Sequence, residues 1–240
     1  MIIREGDPDG LAAGVAAAIG VTARARMLFA LLGGHARTST ELAVAADVSA
    51  STASIHLALL RRYGLVRVTA EGKRRWYSLA GKDVAQLLET LSVVSGSLKR
   101  RSAAVPHPLR IARSCYDHLA GRLGVALHDE MRRLRWLRRM GDEDSYYLTP
   151  AGVAGFRALG VDVNEVQSYN RRFAYECLDW SERSPHLGGA LGAALLDTAI
   201  ERRWVRRDSD SRALEVTPTG SRELQKNFGI LFAKDGAPDR

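Results

Sequence analysis

The sequence predicts a mainly α-helical chain with small β-hairpin wings (α+β), on three observations. A small-polar helix followed by a cationic hairpin occupies residues 49–79, a 35-residue stretch recurs later in the chain, and a basic, proline-containing stretch separates the two. At 240 residues the chain exceeds one small domain. The expected organisation is a first domain at 1–99, a linker at 100–110, and two repeat units at 111–172 and 173–240.

The helix at 50–62 follows from its pattern. Ser49 can accept from the free amides of a helix start, Ala53, Leu57 and Leu60 fall on one side, and Gly64 suits a left-handed exit. The other side carries Ser51, Thr52, Ser54, Ile55 and His56, mostly short side chains that let a helix approach base edges. The preceding TSTELAVAADV reads as a second helix, with Thr38 or Ser39 as cap and Glu41 placed for a capping box. After Gly64, Leu65–Val68 and Trp76–Leu79 read as strands around a tight EGKRR turn that carries Lys73, Arg74 and Arg75.

A helix of this kind, braced by a crossing helix, reads the major groove with its N-terminal residues. Cations at its end (Arg61, Arg62) and at the hairpin tip suit phosphates or the minor groove. Taken singly, charged turns and Leu-Leu-Arg-Arg helix ends are ordinary solvated surface; their order makes the DNA reading. Charge agrees, since the net +8 divides as +5 in residues 1–100 and +3 beyond, with six cations against one anion in 61–75. Such a surface binds phosphates with steep salt dependence. No run of about 18 apolar residues suggests a membrane span. Two cysteines fit a reducing cytoplasm better than a disulfide scaffold.

The block resembles the ArsR/SmtB-like winged helix-turn-helix repressors over residues 10–97. The likeness rests on Ser49, Ser51, Thr52, Ser54, His56 and Leu57, on Gly64 to Val66, and on the Tyr77-to-Leu79 close. One departure is Ile55, where the family often has a basic residue. The resemblance implies a homodimer on a palindromic double-stranded operator. Its first helix, about 8–19 and rich in Ala and Gly, would pair with a last helix at 81–97 bearing Val84, Leu87, Leu88, Leu91 and Val94; an intramolecular core role is the competing reading. The family's sensing sites do not carry over. Glu41–Asp47 holds no cysteine, and residues 81–97 offer only Asp83 and Glu89 and no histidine.

Residues 118–152 align without gaps onto 186–220, identical at 16 of 35 positions, which chance does not produce. Each copy reads as a helix with an Arg-rich end, a short hairpin closing on Thr-Pro-x-Gly, and another helix. Neither copy has a small-polar recognition helix, so they read as two degenerate winged-helix-like repeats forming a sensor or dimerisation module. Their Arg pairs fit DNA flanks or, more plainly, solvated helix ends.

Cys115 and His118, in CYDH, sit three apart and would share a helical turn; Cys177 precedes Asp179 and His186. Thiolate with imidazole is a soft-metal ligand set, an exposed thiol near Arg113 suits oxidation sensing, and burial as packing is the plain alternative. The leading function is a repressor released by an effector, a metal or a redox event in the C-terminal module. The alternatives are a constitutive or architectural DNA-binding protein, and an enzyme using a cysteine nucleophile with a histidine base. The last lacks a recognisable oxyanion stabiliser or nucleophile elbow, so the chain reads as a non-enzyme.

Overall fold

The computed structural model describes residues 8–72, 74–98, 107–141, 144–208, 211–233 and 236–238. The chain divides into two compact units, one through Thr90 and one from Leu91 onward. The mainly helical, hairpin-winged architecture expected from the sequence is the one observed. No single helix among the described residues is long and apolar enough to cross a membrane.

The first unit runs α1 (Pro8–Ile19), α2 (Thr22–Leu31), β1 (Arg37–Thr38), α3 (Ser39–Ala46), α4 (Ala50–Arg62), β2 (Val66–Glu71), β3 (Arg74–Leu79) and the start of α5 (Lys82–Leu98). Its core gathers Met27, Leu28 and Leu31 of α2, Leu42 of α3, Ala53, Leu57 and Leu60 of α4, and Leu88 of α5, all fully buried. Thr38 caps α3 through a reciprocal box. Its hydroxyl accepts from the Glu41 amide at 3.3 Å, and its own amide donates to the Glu41 carboxylate at 2.6 Å. That backbone donation, with the hydroxyl's, holds the Glu41 pKa below its ordinary value.

Ser49 caps α4, accepting from the Thr52 amide at 3.2 Å. The helix ends as the sequence requires: Gly64 takes φ 66°, and the Leu65 amide reaches back to the Leu60 carbonyl at 2.9 Å. The three-stranded sheet has the order β1-β3-β2 and is antiparallel throughout. The wing is longer than the sequence suggests. Arg74 and Arg75 belong to β3, opposite Glu71 and Ala70, and not to the turn. The indole of Trp76 donates to Glu71 at 3.0 Å, which ties the hairpin near its tip.

The second unit contains α6 (His107–Ile111), β4 (Arg113–Cys115), β5 (His118–Ala120), α7 (Gly121–Arg133), β6 (Leu137–Arg139), β7 (Tyr146–Leu148), α8 (Pro150–Ala158) and α9 (Val163–Ser168). It continues with β8 (Tyr175–Leu178), β9 (Pro185–Gly188), α10 (Gly189–Glu201), β10 (Val205–Arg207), β11 (Leu214–Val216) and α11 (Pro218–Phe228). Two local expectations change here. The stretch read as linker through 110 becomes helical from His107, while residues 99–106 lie outside the described set. Each repeat opens with a hairpin, β4–β5 or β8–β9, where the sequence suggested a helix from its His-Leu.

Each repeat is thus hairpin, helix, wing, helix. Thr149 and Thr217 cap α8 and α11 with the following proline in the first turn, accepting from Gly152 and Gly220 at 3.0 and 2.9 Å. The copies exchange hairpins. Tyr175 of β8 bridges Ser145 beside the first copy's wing, and Arg113 of β4 bridges Ala213 beside the second copy's wing. The paired register and the 68-residue repeat describe an approximate two-fold relation within one chain. A single apolar core accordingly runs through both copies, from Leu123, Leu127 and Phe156 to Leu191, Leu196 and Trp204.

One polar chain leads from that core to the surface. His128 Nε2 bonds the Tyr146 hydroxyl at 2.8 Å, and that hydroxyl donates to the Glu176 carboxylate, which also pairs with Arg139. Burial pushes the His128 pKa down to about 4, with Arg132 and Arg139 adding to the effect against the pull of Glu176. The folded value lies below the ordinary one, so the unfolded chain protonates first as pH falls. Stability from this group is therefore full above about pH 6.5 and declines toward pH 4, by about 3 kcal/mol in all. Urea melts at about pH 7.5 and about pH 5 should show about 2 kcal/mol of that loss in the native chain and a smaller one in His128→Gln.

Candidate nucleic-acid interface and thiol–imidazole cluster

Helix α4 packs through Ala53, Leu57 and Leu60, so its other face is left to solvent. Ser51, Ser54 and Ile55 are exposed, Ile55 at 70%, while Thr52 and His56 are half-buried. The hydroxyls of Ser51 and Thr52 each lie 2.9 Å from that of Ser49, and Ser54 donates to the Ala50 carbonyl at 3.0 Å. The helix start is therefore a preformed row of hydroxyls, each keeping capacity for a further bond. Arg61 and Arg62 are exposed at the other end of α4, and Arg74 and Arg75 on the wing. Arg61 and Arg75 line one open concavity of about 400 Å3 with Val68, Ala70 and Tyr77, which joins the helix end to the wing. Lys73 lies outside the described residues.

The structure brings Cys115, His118, Cys177 and His186 together. Their ligand-type atoms all lie within 4.8 Å of one another, and the two sulfurs stand 3.9 Å apart. The geometry corrects the sequence reading, because Cys115 and His118 do not share a helical turn. They are cross-strand partners on β4 and β5, and Cys177 and His186 are the equivalent partners on β8 and β9. Each hairpin presents one thiol beside one imidazole, and the two imidazoles face each other with centroids 5.1 Å apart. Cys115 and both histidines are buried; Cys177 is half-buried.

Two repeated glycines make this approach fit. A Cβ on Gly124 would sit 2.5 Å from the Leu119 carbonyl oxygen and 3.5 Å from His186 Cβ. On Gly192 the same atom would sit 2.3 Å from the Leu187 oxygen and 3.1 Å from His118 Cβ. Each copy's helix thereby touches the other copy's histidine, reciprocally.

Carboxylates stand behind both imidazoles. His118 Nδ1 bonds Asp117 at 3.0 Å, and Arg171 holds Asp117 at 2.6 Å. His186 Nδ1 lies 3.6 Å from Asp179. Asp179 is fully buried and pairs with the equally buried Arg113 at 2.8 Å; it also accepts from the amides of Gly121, Ser181 and Glu182. Arg113 stacks on Trp180 at 4.5 Å. Burial opposes ionisation of Asp179, but Arg113 and His186 outweigh it and hold its pKa well below the usual carboxylate range. Burial likewise pushes His118 down, yet Cys115 and Asp117 together raise it to about 9. His186 is lowered by burial and by the charge of His118. His118 Nε2 and both ring nitrogens of His186 are buried without a hydrogen-bond partner.

Sequence reasoning named the four cluster residues, with Arg113 and Asp179 near them, but not the buried Arg113–Asp179 pair, the Asp117 bond to His118 or the stacking of Trp180. Two Cys-x-Asp tripeptides were the available signal.

A crossing helix, a groove-sized helix with a polar outer face, and a cationic wing define a helix-turn-helix regulator of transcription. The family model described as bacterial regulatory protein, arsR family, matches residues 22–68, from α2 into β2. The uncharacterized HTH-type transcriptional regulator YdfF of Bacillus subtilis (strain 168) is 34% identical over 210 residues, covering 86% of this chain and 92% of its own. HTH-type transcriptional regulator Rv0324 of Mycobacterium tuberculosis is 38% identical over 65 residues, 27% of this chain and 29% of that one. Solved structures include the homodimeric winged helix-turn-helix domain of Mb0332 from Mycobacterium bovis, at 29% identity, with 44% of this chain and 97% of that one covered and a TM-score of 0.37. Reduced HlyU from Vibrio cholerae N16961 matches at 29% identity, with 39% and 93% covered and a TM-score of 0.33. The chain belongs to the ArsR family of HTH-type transcriptional regulators. Its likeness to YdfF is too long to stop at the winged helix and continues into the repeats.

Removing Arg113 would strand a buried carboxylate. Arg113→Ala should cost about 3–5 kcal/mol of stability in the second unit, read by denaturant unfolding monitored through its tryptophans.

Proposed function

We propose that this regulator is a homodimeric repressor of a palindromic operator, acting in the cytoplasm, whose hold on DNA is adjusted by its C-terminal module. Helix α4 enters the major groove, with Ser51, Thr52, Ser54, Ile55 and His56 toward base edges. Arg61, Arg62, Arg74 and Arg75, together with Lys73, meet the phosphates on either side. The observation that carries the reading is the exposed polar face of α4, flanked at its end and on the wing by four exposed arginines. Ile55 would meet a thymine methyl, the contact an aliphatic side chain makes in that groove.

Dimer formation draws support from α5. Leu87, Leu91 and Val94 are exposed at helical spacing, and Leu11 is exposed on α1. An aliphatic stripe of this kind gains by burial against a second copy, and paired recognition helices then read half-sites about 34 Å apart. Modulation through the C-terminal module draws support from the Cys/His cluster, whose soft donors include the half-buried Cys177 that a metal ion or oxidant can reach. The chain reads as a binding protein and not as an enzyme, a reading supported by relatives that are named transcriptional regulators.

Footprinting on the DNA flanking its own gene tests this reading. One protected palindrome is expected; an unpatterned footprint would overturn it in favour of coating. In salt titrations, Arg74→Ala with Arg75→Ala should weaken binding to every sequence and flatten the slope of log K against log salt by about 0.9 per lost phosphate contact. His56→Ala should instead change the preference between operator and mutated operators by about 1–3 kcal/mol, and equal losses on random DNA would remove His56 from base recognition.

A further inference from the structure

From the facing hairpins we infer that Cys115, His118, Cys177 and His186 form a closed four-ligand site for one tetrahedral soft divalent cation of the Zn2+ class, which clamps the two repeats together. The donor set is two thiolates and two imidazoles, the mixture that selects such an ion over hard, oxygen-seeking ones.

Geometry separates this from the alternatives. Two thiolates on one tetrahedral zinc stand about 3.8 Å apart, given a Zn–S bond of about 2.3 Å; here the sulfurs are 3.9 Å apart. A disulfide would need them at about 2.05 Å. The widest separation in the cluster, 4.8 Å, closes to a tetrahedron edge with shifts of about half an ångström at each atom.

Polar accounting points the same way. Buried ring nitrogens are normally satisfied, yet His118 Nε2 and His186 Nε2 have no hydrogen-bond partner. A metal ion supplies the missing partner for both. His118 donates its other nitrogen's proton to Asp117, itself anchored by Arg171, and His186 turns its other nitrogen toward Asp179. A carboxylate behind a ligating imidazole fixes its tautomer and aims its lone pair at the metal.

Charge also closes. Both thiols bind as thiolates and release their two protons to solvent, so the dication with two thiolates is neutral and tolerable in a buried place. The half-buried Cys177 gives the ion its way in. With four protein ligands and no open position, the site suits structure or sensing and not catalysis. Because each copy supplies one Cys–His pair, ion binding joins the hairpins at the approximate two-fold axis.

The assignment stands apart from the operator reading, since its test involves no DNA. The full chain, purified reduced and without chelator, is expected to carry about one zinc by elemental analysis. Stripped of metal and titrated with Co2+, it should develop thiolate-to-cobalt charge-transfer absorption and the intense visible bands of tetrahedral cobalt, saturating at about one equivalent. Cys115→Ser with Cys177→Ser should abolish the charge-transfer absorption. Asp117→Asn, which leaves all four ligands in place, should keep the spectrum and weaken Co2+ affinity about 10–100-fold. Folded, reduced native chain that holds no zinc and gives no charge-transfer band overturns the site. So does an unchanged Co2+ spectrum in the double serine variant.

Discussion

Neither hairpin at the heart of the C-terminal unit could stand by itself. β4–β5 and β8–β9 hold only three or four residues per strand, and an isolated two-stranded ribbon is marginal in water. Each is completed by the other copy. The Ser114 amide reaches the Arg212 carbonyl, and the Tyr146 amide reaches that of Ala174, at 2.9 Å in both places. The buried Arg113–Asp179 pair then locks the first hairpin to the loop between β8 and β9. Once the ribbons are exchanged, the cross-strand thiols and imidazoles have no other place to go. The cluster follows from the exchange, and so does the single core.

The winged helix is built under the opposite constraint. Its recognition helix spends only one face on packing, so the other face is free to vary with the partner it must fit. Capping is what allows this. Ser49 holds the first turn of α4, Thr38 and Glu41 hold that of α3, and the αL glycine at 64 turns the chain into the wing. The helix reaches its surface already shaped, and binding has little backbone entropy left to lose.

Much of this was legible in the residues. The bounds of α4, its cap, its buried triad and the capping box at Thr38 follow from periodicity and hydroxyl placement, because these are local effects. The wing was underestimated at Arg74 and Arg75, where cations look like turn residues until the partner strand supplies Glu71 and Ala70. The repeat was plain from identity alone, but its opening hairpins were not. Three-residue strands carry too little alternation to be seen, and Cys115-x-x-His118 has helical spacing as readily as hairpin spacing. Asp179 and Arg113 lie 66 residues apart, so nothing short of the fold could join them. What the sequence did hold was the pair of Cys-x-Asp tripeptides. In one the histidine follows the Asp at once; in the other it comes seven residues later, across a loop.

That difference in loop length bears on what the repeats are for. The cysteines are offset by 62 residues and the histidines by 68, yet both pairs end as cross-strand partners in matching register. An insertion in one hairpin has been absorbed entirely by its loop. The extra residues are put to use, for they supply Trp180 and Ser181 around Arg113. Meanwhile the helices after the hairpins have grown unalike. The first turns Glu130, Arg132 and Arg133 away from the core, whereas α10 is packed through Leu191, Leu195, Leu196 and Ala199. The histidines, the glycines that let each helix approach the opposite histidine, and core positions such as Leu119/Leu187, Leu123/Leu191 and Trp136/Trp204 are the same in both copies. Two units alike where they touch across the axis are what the proposed four-ligand site needs, since each copy must bring one thiol and one imidazole to the same place.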